Sequence, residues 1–516
     1  MTTTAEVTTS TDALRRTGAT VLALGAAELL GKVATFLMFL LLARLLHVAQ
    51  FGLLSFGLSL GLLLAVLSSL GLDSRVVQLG SAHPELLDHC YGALVAIRTV
   101  LSAVVLGVTA TVLFVTMPGP DAFAVTVMVA SSLLDTFVDA ARAACGARQR
   151  QQLSAVVLVV QRFAALVLSA GAVLTTRSAG NAALGYLAAT CVGVVGMDLA
   201  ARRAGARPRV RGSRAAARMV LQAVPVMGLG AIASMGVFRL ATALIGVTLG
   251  TVAVGVYGAG YRVFESVLFV SWTLSRVYMP VIAARPDDPE HVRVWARRAL
   301  VLVCAIYLPY GVVLALRGSD LVGELFGAEY EHTGMMVALA AAPLLFGFGH
   351  LGASVLLALR PDPVVLVASV VALVVNVVLV LCLVPVWGLT AAALATTLAF
   401  LVEAVILLAA LTRIAGSIVP ARPVAAVTLA SAAAALASLA VADPVLAFLA
   451  AAVVFLVVWP LASRVVDPEG LAGAAAILDR QGRLGDRVSR FLRGVRQGGD
   501  SSPNRRRQPP WTHGST

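Results

Sequence analysis

Several ionisable side chains of this chain fall inside long apolar runs, where a charge is costly unless it faces a partner, a cavity or a bound ion. Glu28 and Lys32 stand four residues apart in the first run, on one helical face and in the favourable order for an ion pair. Lys32 can point its ammonium into an interior cavity, or the two can neutralise each other; the readings are compatible. Arg239 and Arg262 occupy the seventh and eighth runs, with Glu265 three residues beyond Arg262. A guanidinium stays charged when desolvated and grips phosphate oxygens through paired hydrogen bonds. The chemistry these arginines suit is therefore binding of an anionic, phosphate-bearing group; the competing reading is a structural Arg262–Glu265 pair.

Asp135 and Asp139 share a face of the fourth run and are candidates for pairing with Arg98 or Arg162, or for a coupling-ion site. Glu403, midway through the twelfth run, has no local partner. It is a candidate coupling-ion ligand or a neutral, hydrogen-bonded carboxylic acid. Arg98, Arg162 and Asp198 read as residues near helix ends whose side chains snorkel to the interface, as does Arg276. His47 and His350 read as interfacial residues, and Asn376 as a cap or a bridge between helices. The sequence carries no Gly-rich phosphate loop, no HExxH and no Ser/His/Asp cluster, so no catalytic residue is assigned. The five cysteines lack paired spacing, and neither disulfides, a metal site nor a cofactor is expected.

The elements that must position these charges are membrane helices. With 59% hydrophobic and 13% charged residues and a mean hydropathy of +0.93, the chain has too little polar surface to face water. Apolar runs fall at 19–46, 51–79, 91–117, 122–146, 152–176, 180–201, 219–248, 252–283, 299–317, 333–358, 364–385, 389–412, 424–441 and 445–463. At roughly 20 residues per crossing these make about 14 spans in an all-α, polytopic membrane protein. The first is too long for a signal-peptide core and is read as a retained span.

The net charge of +13 is carried almost wholly by arginine, Lys32 being the single lysine. The arginines crowd into alternate loops, whereas the opposite loops hold only Arg177 and Arg317. This is the positive-inside pattern of a cell-membrane protein with both termini cytoplasmic, and it argues against a nucleic-acid partner.

The densest basic loop follows span six. It divides the chain into a tail at 1–18, a six-helix bundle at 19–201, a basic linker at 202–218, a second bundle at 219–412, two further helices at 424–463 and a basic tail at 464–516. An even number of spans per half implies a parallel repeat, and Gly52 and Gly57 recur in spacing as Gly255 and Gly260. In the tail, Leu484, Val488, Phe491, Leu492 and Val495 interleave with arginines at helical spacing. That pattern suits either an amphipathic helix on the anionic inner leaflet, with membrane lipids as partners, or an ordinary solvated tail; residues from Gly498 on read as disordered.

Three stretches carry a family resemblance. Residues 31–76 include the turn Ala43-Arg44-Leu45-Leu46-His47-Val48-Ala49-Gln50-Phe51-Gly52; residues 250–283 open on Val254-Gly255-Val256-Tyr257 and close on Pro280. The third stretch, from Leu325 onward, contains Asn376, Pro385, Gly388 and the small-residue run from Ala391 to Thr396. In this order they resemble the multidrug/oligosaccharidyl-lipid/polysaccharide exporter superfamily, in particular its bacterial polysaccharide flippases. The usual Gly-Pro of the first turn is replaced here by His47 and Val48.

The resemblance implies two six-helix bundles in parallel pseudo-repeat, two extra C-terminal helices, a central cavity lined by helices one, two, seven and eight, and alternating access. Lys32, Arg239 and Arg262 would then converge from three helices as substrate-binding residues. The implied substrate is a polyprenyl-linked oligosaccharide or related cell-envelope glycolipid precursor, with glycan-assembly proteins as potential partners. A lipid II flippase and a cation-coupled multidrug antiporter are the alternatives within the superfamily, although the cavity candidates are net basic. A membrane polysaccharide polymerase or ligase is more remote, because the longest outer loop, about 318–332, is short.

Overall fold

The computed structural model describes residues 27–210, 214–222, 228–360 and 362–467. The expectations for the N-terminal tail and for the basic tail beyond Asp467 lie outside the described residues. The first helix, α1, is described over 27–45. It is followed by α2 (Val48–Ser69), α3 (Leu72–Ala82), α4 (Leu87–Thr116), α5 (Gly119–Ala147), α6 (Gln151–Thr176) and α7 (Ala179–Arg203). A short α8 (Arg214–Leu221) leads into α9 (Leu229–Thr248), α10 (Thr251–Glu265), α11 (Phe269–Ala283), α12 (Pro289–Phe326), α13 (Thr333–Leu339) and α14 (Ala342–Leu359). The chain continues through α15 (Pro363–Ala415), α16 (Ala421–Leu439) and α17 (Pro444–Val466), and there is no strand among the described residues.

Helix starts follow from local chemistry. Asp288, Asp362 and Asp443 each accept a backbone N–H of the first turn, and each precedes a proline whose missing N–H costs nothing there. Twelve described segments are long and apolar enough to cross a membrane, α10–α11 and α13–α14 each counting as one. One of them, the 53-residue α15, is two crossings joined at Gly388, whose φ of 57° turns the chain back beside Pro385. Counting it twice and adding α1 recovers the expected fourteen spans. Three expected single spans are interrupted instead: at Leu70–Gly71 between α2 and α3, at 266–268 between α10 and α11, and at 340–341 between α13 and α14.

Helices α2 and α4–α7 pack into one bundle and α9–α15 into a second, with α16 and α17 laid against α12. The bundles meet where α2 crosses α9 and α10. On the outer surface, Val100, Val104, Val108 and Val112 of α4 form an exposed stripe four residues apart. Such a stripe would be unfavourable in water and is at home against lipid chains. The structure is that of a multi-pass membrane protein.

Candidate functional site

Arg239 lies midway along α9 and Arg262 in the last turn of α10, and Glu265 stands between them. The Arg239 Nη2 donates to Glu265 Oε1, and the Arg262 Nη1 donates to Glu265 Oε2 at 3.0 Å. Their side chains are only 10%, 12% and 19% exposed, so one carboxylate offsets two largely desolvated cations. The surplus charge rests on aromatic faces. The Arg262 guanidinium is 3.8 Å from the Phe39 ring centre on α1, and that of Arg239 is 5.8 Å from the Tyr261 ring.

The site sits on a helix break, which leaves backbone groups without intrahelical partners in a region with little water. Two tyrosines of α12 supply partners. Tyr310 donates its hydroxyl to the Val263 carbonyl at 2.7 Å, while the Tyr307 oxygen accepts the Ser271 N–H at 3.1 Å. Arg262 and Glu265 are thereby presented from a fixed helix end.

Lys32 does not bond to Glu28. Its ammonium lies 5.3 Å from the Trp272 ring centre on α11 and within electrostatic reach of Glu265, Arg162, Arg239 and Arg262. Glu28 instead takes a two-pronged hydrogen bond from Arg276 of α11, at 3.0 and 3.1 Å, and lies 3.6 Å from Arg142 of α5. The expected pair along one helix is replaced by bridges between helices, because a guanidinium fork matches a carboxylate better than a single ammonium does. Arg276, half exposed, is thus held by Glu28.

Arg162 and Arg98, by contrast, are held inside the first bundle rather than snorkelling. Arg162 lies near the middle of α6, donates to the Tyr186 hydroxyl at 3.3 Å and is 3.7 Å from Asp135. Asp135 also accepts from Gln161 at 2.6 Å. Arg98 is fully buried, pairs with Asp73 of α3 at 2.6 Å and donates to the Thr136 carbonyl, so it is taken by a partner other than Asp135 or Asp139. Asp139 makes no ion pair among the described residues but lies within electrostatic reach of Arg162. Asp198 binds Arg202 one turn further on, at 2.7 Å.

The remaining candidates lie apart from this cluster. Glu403 accepts from Ser369 at 2.9 Å, a partner contributed by the first half of α15. His350 is within α14 rather than near its end; it stacks on Phe346 and lies 3.3 Å from the Ser275 hydroxyl. His47 is exposed at the start of α2. Asn376 is fully buried mid-helix, and neither amide atom has a hydrogen-bonding partner among the described residues, so it acts as neither cap nor bridge.

The structure thus gathers Lys32, Arg162, Arg239 and Arg262 around Glu265 and Asp135, with Asp139 within electrostatic reach of Arg162, four cations against three carboxylates. The aromatic partners Phe39 and Trp272 carry no sequence signal of their own. Arg162 could have been found by counting its position within span five.

The two ends of the interface differ. Beyond the site, toward the starts of α2 and α10, the bundles are sealed. Tyr330 donates to the Ala43 carbonyl at 3.1 Å and packs edge-on against Phe51, and Arg44 donates to the Leu325 carbonyl at 2.7 Å and to that of Glu324. Phe51 and Tyr330 are completely buried. Toward the start of α1, among the described residues, the half-exposed Glu28 bridges to Arg276 and Arg142 link the bundles. From Glu28 to Arg44 along α1 is about 24 Å of helix, most of a hydrocarbon core.

The fold and the site define a membrane protein of two packed helical bundles with buried charge at their interface. Residues 41–334 match the model of the polysaccharide biosynthesis protein family, and the chain belongs to that family. Its fold is that of the multidrug/oligosaccharidyl-lipid/polysaccharide exporters. It is similar to the structure of lipid II flippase MurJ in an inward closed conformation, with a TM-score of 0.70 and 11% identity over 86% of this chain and 98% of that one. An inward-facing multidrug resistance MATE family transporter aligns with a TM-score of 0.61 and 14% identity over 74% of this chain and 94% of its own. A transporter of the same superfamily from Pyrococcus furiosus, described as having a binding pocket of reverse polarity, aligns with a TM-score of 0.54 and 14% identity, covering 77% and 95%. No curated protein sequence matches the chain.

Proposed function

We propose that this protein translocates a polyprenyl-linked oligosaccharide, or a related cell-envelope glycolipid precursor, from the inner to the outer leaflet by alternating access. The observation that carries this reading is the pair of arginines from two helices held on one buried carboxylate, with Lys32 and Arg162 nearby. A pyrophosphate head group would compete with Glu265 for the two guanidinium forks and gain the cationic surplus the site already holds. The prenyl tail would remain in lipid between the bundles.

With both termini cytoplasmic, as the arginine distribution favours, the sealed end faces outward and the Glu28 bridges face the compartment where the precursor is made. Admission of the head group then requires Glu28 to part from Arg276. Export requires the aromatic seal around Phe51 and Tyr330 to open. The two six-helix units at 19–201 and 219–412, joined by the 202–218 linker, would rock about the charged layer.

A multidrug antiporter would need an acidic site for cationic substrates, and the surplus of cations here opposes it. A lipid II flippase could use the same basic site. The experiment that tests the reading is transport of a lipid-linked pyrophosphoryl saccharide by purified protein in vesicles. Wild-type protein should move it across the bilayer, and soluble pyrophosphate should compete. Transport of organic cations in its place would reject the proposal.

A further inference from the structure

The exposed face of the linker between the bundles carries more cationic charge than any described acid satisfies, on a backbone too well anchored to be a passive tether. After α7, Gly205 turns the chain with a φ of 84°. The Arg207 N–H then donates to the Asp88 carboxylate at 3.0 Å, and the Arg209 N–H donates to the Asp88 carbonyl at 2.9 Å. The Arg209 backbone lies so close to Gly92 of α4 that a side chain there would overlap it. Ala204 and Ala206 are buried beneath this strap, and α8 buries Ala216 and Val220 against the base of the first bundle. The main chain of the described stretches, 204–210 and 214–221, is anchored, and its arginine side chains are exposed.

Those side chains are mostly unpaired. Arg202 is held by Asp198, and Arg209 lies 3.8 Å from Asp88. Arg203, Arg207, Arg214 and Arg218 are exposed and have no acidic partner among the described residues, with Arg214 and Arg218 one turn apart on the outward side of α8. Val210 and Leu221 are exposed among them, at 54% and 42%. Guanidinium groups carried on an anchored backbone and interleaved with exposed apolar side chains, at the level where membrane helices begin and end, match the chemistry of a phospholipid interface: phosphate for the arginines and acyl boundary for the apolar residues.

We propose that this strap and α8 form a docking shelf for anionic phospholipid headgroups, separate from the charged site between the bundles and independent of what that site transports. The test uses the full-length protein in nanodiscs of mixed phosphatidylglycerol and phosphatidylcholine, with the lipids that remain bound counted by native mass spectrometry. Wild-type protein should retain phosphatidylglycerol over phosphatidylcholine by roughly fivefold or more at low salt, and the preference should shrink as salt is raised. The R203Q/R207Q/R214Q/R218Q variant should bring the ratio close to that of the bulk lipid. If that variant fails to fold, Arg214→Gln/Arg218→Gln on the outward side of α8 should still lower the ratio, and the salt series on wild-type protein needs no variant. A ratio unchanged by the substitutions or by salt would overturn the proposal. So would a wild-type protein with no lipid preference that instead binds an acidic polypeptide such as polyglutamate.

Discussion

Gly52 and Gly255 meet backbone to backbone where α2 crosses α10. A Cβ added to Gly52 would collide with the Thr251 carbonyl and come within 3.0 Å of the Gly255 nitrogen, and one added to Gly255 would fall 2.5 Å from the Val48 carbonyl. The contact is reciprocal: each glycine admits the first turn of the other helix. The spacing echo between Gly52/Gly57 and Gly255/Gly260 thus has a physical basis at its first members, since both helices need a side-chain-free surface at the same seam.

Gly255→Leu should wedge this seam open, at an overpacking cost of about 1–3 kcal/mol. Ser55, 2% exposed beside Gly258, reports on it. A cysteine at Ser55 should resist a membrane-impermeant maleimide in otherwise native protein and react in the Gly255→Leu background. Equal reactivity in both would mean that the glycines do not hold the seam closed.

Glu265→Gln should be severely destabilising, because it leaves Arg239 and Arg262 without their shared carboxylate. Losing one partner of a buried ion pair costs about 3–5 kcal/mol. Thermal unfolding in detergent should show a lowered Tm that inorganic pyrophosphate partly restores. Adding Arg262→Ala to Glu265→Gln should recover part of the loss. An unchanged Tm for Glu265→Gln would show that the triad is not what holds α9 to α10.

The spans were readable because a bilayer demands about twenty apolar residues per crossing whatever their order. The helix breaks at Leu70–Gly71 and 266–268 were not, because apolar character runs on across them; at 266–268 the break is made tolerable by contacts from Tyr307 and Tyr310 of the distant α12. Arg239, Arg262 and Glu265 stood out as charges in apolar surroundings. Glu28 was matched to Lys32 by helical spacing, whereas its partner Arg276 is 248 residues away and no local rule reaches it. Arg98 was misjudged for the same reason: Asp73, its partner, belongs to the separate short helix α3.

The Glu28–Arg276 bridge should tolerate exchange of its charges. Glu28→Arg or Arg276→Glu alone should impair transport, while the double exchange should restore a large part of it, a coupling that a double-mutant cycle in reconstituted vesicles would measure. Strictly additive losses would mean that the pair does not act as a unit.

The orientation is tested at the two ends of α6. In a cysteine-free background, Gln149→Cys should react only from the cytoplasmic side and Thr176→Cys only from outside. Labelling of both from one side would remove α6 as a crossing, and the reverse pattern would invert the direction of transport proposed above.

The central claim is that the buried arginines bind the anionic head group. The most direct measurement is translocation of a lipid-linked pyrophosphoryl saccharide in vesicles containing the Arg239→Ala/Arg262→Ala protein, with folding verified by thermal unfolding. Transport should fall by at least roughly a hundredfold, since each lost charge-assisted contact is worth about 1.5–3 kcal/mol, and Arg262→Lys alone should recover it only partly because an ammonium lacks the planar fork. Wild-type rates in the folded double variant would contradict the account.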